Sequence, residues 1–221
     1  MKLERDLYAY LWQSVYENNC NTYMIRREVT VLVDPGHSRH VPNLFRQMEE
    51  DGVSPEEVDL IILTHSHPDH LEGLEAFKDK SVKIAMNREE ERYLGENGKL
   101  LFEMMGQPMP PFRIDFYLKE GELRLGKETF HVYQTPGHSP GSISIHWPER
   151  KVLFTGDLVF YRGIGRTDFP GGNSKLIKES LEKMSRLDTD LLLPGHGEEV
   201  RGKELVLQNF EFIRQNFYGY L

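Results

Sequence analysis

At 221 residues, with 38% hydrophobic side chains, the chain is long enough for one sizeable core and is expected to form a single domain over residues 1–221. Its formal net charge of −8 argues against nucleic-acid or membrane partners, since both attract basic surfaces. A single cysteine, Cys20, excludes an internal disulfide; with no bilayer-length apolar run and no apolar signal core in Met1-Lys2-Leu3-Glu4-Arg5-Asp6, a cytoplasmic location is expected.

Short apolar runs alternate with amphipathic segments along the chain. Leu7 to Trp12, Thr22 to Arg26 and Val29 to Val33 read as strands. Val41 to Glu50 reads as a helix with Leu44, Phe45 and Met48 facing inward. Asp59 to Leu63 is a buried strand, followed by a loop, a short helix near Leu71 to Phe77 and a strand at Val82 to Met86. Leu94 to Phe112, rich in Met, Gly and Pro, breaks the rhythm and has room for one helix. Strands are expected at Ile114 to Leu118, Glu122 to Leu125, Thr129 to Gln134, Ser142 to Trp147 and Val152 to Thr155. Lys175 to Met184 reads as a helix capped by Asn173 or Ser174. A short strand at Asp190 to Leu193 precedes a last helix from Lys203 to Phe217, striped by Val206, Phe210, Ile213 and Phe217.

The densest chemistry is Thr64-His65-Ser66-His67-Pro68-Asp69-His70, at the end of the Asp59–Leu63 strand. Imidazole nitrogen and carboxylate oxygen are preferred ligands of zinc and similar metals. So many in one stretch suit two ions better than one. Three later segments share the design: Thr135-Pro136-Gly137-His138-Ser139, Thr155-Gly156-Asp157 and Pro194-Gly195-His196-Gly197 each place a His or Asp beside glycine just past a strand. Strand ends on one edge of an α/β structure are where ligand sites form. His65, His67 and His138 are assigned to one metal, and Asp69, His70 and His196 to the other, with Asp157 bridging. Two divalent ions roughly 3.5–4 Å apart would share a water and leave a nucleophile at neutral pH. Zinc is the first expectation, with iron or manganese allowed by the same donors.

This ordered set resembles the metallo-β-lactamase superfamily. The residues that carry the resemblance are His65-x-His67-x-Asp69-His70, His138, Asp157 and His196, with Asp34 matching an early strand-end aspartate. The resemblance spans essentially the whole chain. It implies an α/β fold, an αβ/βα four-layer sandwich of two mixed β-sheets with helices outside. Within the superfamily, Gly156-Asp157-Leu158-Val159-Phe160 and Gly163 to Gly172 are similar to the glyoxalase II branch. That implies hydrolysis of a hydroxyacylglutathione or related acyl thioester, with Arg166 contacting a substrate carboxylate. Asp157 and Asp69 are the candidate catalytic carboxylates, Asp69 with the further task of handling the proton of the replacement water. Asp168 stands where the branch has an aromatic contact, and about one helix is expected after His196, where the branch carries a C-terminal helical domain. The same stretch is similar to persulfide dioxygenases, which implies instead one iron held by His65, His138 and Asp157. A lactonase, a phosphodiesterase and a non-catalytic metal protein are further readings.

Other residues have plainer readings. His37 and His40 follow Asp34 on a loop placed either to face the site or, the preferred reading, to carry ordinary surface histidines; His131 and His146 read as packing or surface residues. Asp34 is either a hydrogen-bonding support for the ligand loop or a turn aspartate before Pro35-Gly36. Arg166 has an alternative partner in Asp168 or Glu179. Met104, Met105, Met109 and Phe112 either cover the core or form a flap over the pocket. Cys20 reads as an inert buried thiol. Phe217 to Leu221 reads as packing, or as a contact in a homo-oligomer.

Overall fold

Residues 2–14, 16–104, 106 and 108–221 are described by a computed structural model; Met1, Val15, Met105 and Gln107 lie outside it. The first sheet follows chain order: β1 (Lys2–Glu4), β2 (Leu7–Tyr10), β3 (Thr22–Arg26), β4 (Thr30–Val33), β5 (Leu60–Ile62), β6 (Lys83–Asn87) and β7 (Phe116–Leu118). Pairs from β1 to β4 are antiparallel, and pairs from β4 to β7 are parallel. The second half supplies β8 (Gly121–Leu125), β9 (Glu128–Gln134), β10 (Ile143–Trp147), β11 (Val152–Gly156), a hairpin of β12 (Val159–Phe160) with β13 (Gly163–Ile164), then β14 (Leu191–Pro194) and β15 (Val200–Arg201). The second sheet runs β15-β14-β11-β10-β9-β8 and is antiparallel except between β11 and β14.

Parallel neighbours need a crossover, and helices supply it. α1 (Val41–Glu50) joins β4 to β5; α2 (Pro68–Leu71) and a 3-10 segment (Glu72–Phe77) join β5 to β6. α3 (Arg88–Tyr93), a π turn (Leu94–Gly98) and α4 (Lys99–Met104) lie between β6 and β7. α5 (Ser174–Met184) joins β11 to β14, and α6 (Lys203–Phe217) follows β15.

Strand side chains alternate between two apolar layers, which is why the runs carry no polar face. Val31, Val33, Leu60, Ile62, Phe154 and Leu193 point between the sheets into one cluster with Tyr23 and Trp147. Leu32 and Ile61 point outward, where α1 packs through Leu44 and Met48. Leu153 and Leu192 point outward on the other sheet, under Ile177, Leu181 and Met184 of α5 and Val206, Phe210 and Ile213 of α6. The order is helix, sheet, sheet, helix: the α/β sandwich expected.

Several local expectations need correction. The first strand stops at Tyr10 because the Trp12 amide turns away to the Asn21 side chain (2.9 Å). Phe45 is only partly buried, edge-on to Phe77 at 5.2 Å. β1, β15, α3 and the β12–β13 hairpin carry no periodic signal and were not expected. The Leu94 to Phe112 segment covers the outer face of the first sheet through Leu94, Phe102 and Phe112. Met105 falls outside the described residues, and Met104 is exposed.

Candidate metal centre

The parallel pairs β4–β5 and β11–β14 bring the C-terminal ends of their strands to a common edge, and β9, two strands from β11, ends in the same direction. Five loops therefore meet between the sheets. His67 is the N-cap of α2 and Pro68 its first residue, so the chain turns at once and carries Asp69 and His70 round to the same side. Gly195 permits the closest approach: a Cβ there would stand 2.2 Å from Asp157 Oδ1 and 2.9 Å from His70 Cε1.

The structure brings all seven candidate ligands together. His65, His67 and His138 place ligand atoms within 4.8 Å of one another, as do Asp69, His70 and His196. Asp157 stands between the groups: Oδ2 is 3.5 Å from His138 Nε2 and 3.3 Å from His196 Nε2, and Oδ1 is 3.3 Å from His70 Nε2. His196 Nε2 also lies 3.2 Å from Asp69 Oδ2. Among the described residues, four buried atoms here have no hydrogen-bond partner: Nε2 of His65, His67 and His138, and Asp157 Oδ1. Buried polar atoms are normally paired. Three converging lone pairs and a carboxylate oxygen left open are what a divalent cation would satisfy, so the residues fit a metal.

The two groups differ electrostatically. Burial and the neighbouring histidines depress His65 well below its ordinary pKa and His67 to about 3, so both rings are neutral at pH 7, the form in which imidazole can ligate. Burial pushes the other way from the carboxylates at His196, yet Asp157 and Asp69 prevail and raise it to about 10. His70 is raised well above its usual value: burial opposes its charge, and Cys20, Asp157 and Asp34 outweigh burial. Burial pushes the Cys20 thiol up to about 12, so at neutral pH the charges acting on His70 are those of the aspartates. Against burial, His196 and His70 hold Asp69 and Asp157 below the usual carboxylate range. The raised pKa values of His70 and His196 reflect the same negative potential that would draw a cation to this acid-rich group.

Outer contacts aim the ligands. Asp34 accepts from His70 Nδ1 (2.9 Å), the Thr64 amide (2.8 Å) and the Thr64 hydroxyl (2.6 Å). It does so from a left-handed backbone, φ 54°, a conformation aspartate tolerates better than most residues. The Thr64 hydroxyl lies 3.1 Å from His65 Nδ1, and His138 Nδ1 lies 2.7 Å from the Arg166 carbonyl oxygen. Fixing the far ring nitrogen sets which nitrogen faces the site. Thr64 and Asn18, whose amide donates to Asp69 Oδ2 (2.7 Å), were missed in the sequence. Adjacency to His65 signalled Thr64; nothing in Glu17-Asn18-Asn19-Cys20 signalled Asn18. His37 is not a surface histidine: it is buried, with Nδ1 2.7 Å from Glu72 Oε2. His40 is half-buried, and His146 is buried with Nε2 3.2 Å from the Asp188 carbonyl.

A cavity of about 380 Å³ opens above the ligands. Phe160, Ile164 and Phe169 form apolar walls, with Asn18 and Arg166 the polar ones. None of the described residues of the Leu94 to Phe112 segment lines it. The Arg166 guanidinium is exposed and paired in fork fashion with Asp168 (2.7 and 2.6 Å), over the Phe169 ring at 3.8 Å.

Comparison with known proteins gives the same direction. The chain is 32% identical over 184 residues to "Probable metallo-hydrolase YqgX" of Bacillus subtilis, covering 80% of this chain and 84% of that one. It is 31% identical over 194 residues to "Hydroxyacylglutathione hydrolase GloC" of Haemophilus influenzae, covering 83% and 87%. Among solved structures it is similar to TTHA1623 in a di-iron-bound form, at 30% identity and a TM-score of 0.71, covering 91% and 95%. A model of the metallo-beta-lactamase superfamily matches residues 15–196, a span that begins before β3 and ends on His196. By that match and by the four-layer fold that carries it, the chain belongs to the metallo-beta-lactamase superfamily.

Proposed function

We propose that the protein is a metal-dependent hydrolase of acyl thioesters, holding two divalent ions. His65, His67 and His138 would hold one ion, Asp69, His70 and His196 the other, and Asp157 would bridge them. When bound, such a pair supplies a water of lowered pKa and a Lewis acid for a carbonyl oxygen. The similarity to GloC supports a thioester substrate.

The observation that carries the reading is the composition of the cavity wall. Among the described residues, its lining apart from the candidate ligand histidines and aspartates is Asn18, Phe160, Ile164, Gly165, Arg166 and Phe169. None of these is an acid able to protonate a leaving alkoxide or amine near neutral pH. A thiolate leaves without that help, whereas an amine does not. The apolar walls suit an acyl chain, and Arg166 at the mouth suits a carboxylate that displaces Asp168.

The test is metal content on protein purified without added metal, together with turnover of S-lactoylglutathione and simple acyl thioesters. Two ions per chain and thioester hydrolysis without oxygen are expected. One iron per chain with oxygen uptake on glutathione persulfide would replace this reading with the dioxygenase one.

A further inference from the structure

One carboxylate outside the ligand set touches both loops of the three-histidine group. Glu90 lies in the first turn of α3 and is 0% exposed. Its Oε1 accepts from the Ser66 amide (2.8 Å) and the Ser66 hydroxyl (2.7 Å). Its Oε2 accepts from the Ser139 hydroxyl (2.7 Å) and the Gly141 amide (2.8 Å). Ser66 separates His65 from His67, and Ser139 follows His138. Gly141 sits so close that a Cβ there would stand 2.2 Å from the Glu90 backbone nitrogen.

Among the described residues, no ion pair with lysine, arginine or histidine reaches Glu90. A buried carboxylate without a cation is costly, and four donors are what offset it here. Two of those donors are backbone amides, which fix loop position as side-chain donors cannot. One side chain thus ties the loop of His65 and His67 to the loop of His138.

We propose that Glu90 is a positioning residue for the metal centre. It sets the separation of the two loops, and so controls metal affinity at His65, His67 and His138 more than at Asp69, His70 and His196. The inference rests on the dinuclear reading above.

Glu90→Gln keeps the shape, but whichever way the amide faces, its NH2 meets a backbone N–H, that of Ser66 or of Gly141. In a chelator competition with zinc, the three-histidine group is expected to lose about 10–100-fold in affinity, and the other group about twofold or less. Imidazole nitrogen-15 shifts identify which histidines take up zinc at each step. Ser66→Ala and Ser139→Ala each remove one donor and leave both amides, so they test the same point if Glu90→Gln does not fold; a severalfold loss at the same group is expected. Unchanged affinity there in every folded variant, with two ions bound to the wild type, overturns the proposal alone, and a lowered melting temperature of the zinc-free variants would then make Glu90 a fastener of the fold. A wild type that takes up no zinc through His65, His67 and His138 overturns the dinuclear reading and the proposal together.

Discussion

Asp34 does three things with one carboxylate: it receives His70 Nδ1, the Thr64 amide and the Thr64 hydroxyl. Asp34→Asn replaces one acceptor oxygen with a donor, so at least one of these contacts is lost. Metal affinity at the Asp69–His70–His196 group is expected to fall about 10–100-fold, read by chelator competition. The histidines also predict the pH response of the metal-free protein. His196, raised to about 10, contributes stability that is full below its unfolded pKa near 6.5 and is lost as pH climbs toward 10. His67, depressed to about 3, contributes stability present above pH 6.5 and lost as pH falls toward 3. Melting temperature without metal should therefore peak near neutrality. With metal bound at His196 Nε2 that nitrogen has no proton to lose and the ring is neutral, so the alkaline loss should vanish; equal alkaline profiles with and without metal would refute this. At this scale the sequence was informative where ligand residues cluster and silent where support is dispersed. His65 to His70 announces itself by density. Asn18 reaches Asp69 from a loop with no such pattern, and His37 looked like a surface group because its partner, Glu72, is distant in sequence.

Elements buried on both faces were legible as apolar runs: β4, β5, β11 and β14 appear where Val31, Ile61, Leu153 and Leu192 lie in such stretches. α1 and α5 were legible because one helical stripe is apolar. α3 was hidden for a physical reason. In Arg88-Glu89-Glu90-Glu91-Arg92-Tyr93 the inward positions are Glu90 and Tyr93, so the stripe reads as polar. The two-residue strands β12, β13 and β15 are too short for any period to register. α5 also shows how an element serves a loop: its N-cap Asn173 accepts from the Leu176 amide (3.0 Å), and the Asn173 amide donates to the Gly137 carbonyl (2.7 Å), beside His138. Asn173→Ala should cost about 1 kcal/mol in chemical denaturation while metal content stays unchanged, because its backbone bond to Gly137 survives. A loss of metal content would mean that the cap itself orders the His138 loop.

For the whole molecule, metal should act as a stabilising ligand. At a free concentration a hundredfold above its dissociation constant, each ion adds about 2.7 kcal/mol, or roughly 5–10 °C in melting temperature for a chain of this size. Chelation should remove that increment and re-addition restore it; a melting curve indifferent to both would count against any resident ion. The placement of the ligands gives this a further meaning. His65, His67, Asp69 and His70 belong to a loop of the first sheet, and His138, Asp157 and His196 to loops of the second. An ion held by both sets is a cross-link between the halves of the chain, closing a long loop in the way a disulfide would in a protein that has only Cys20. Without it that edge is held only by the links already present, the Glu90 contacts and the Asp69–His196 and His70–Asp157 pairs among them, and the sandwich should open there more readily, like a book hinged at the far side. Amide hydrogen exchange would follow that hinge, quickening at the C-terminal ends of β5 and β14 and holding its pace at their opposite ends.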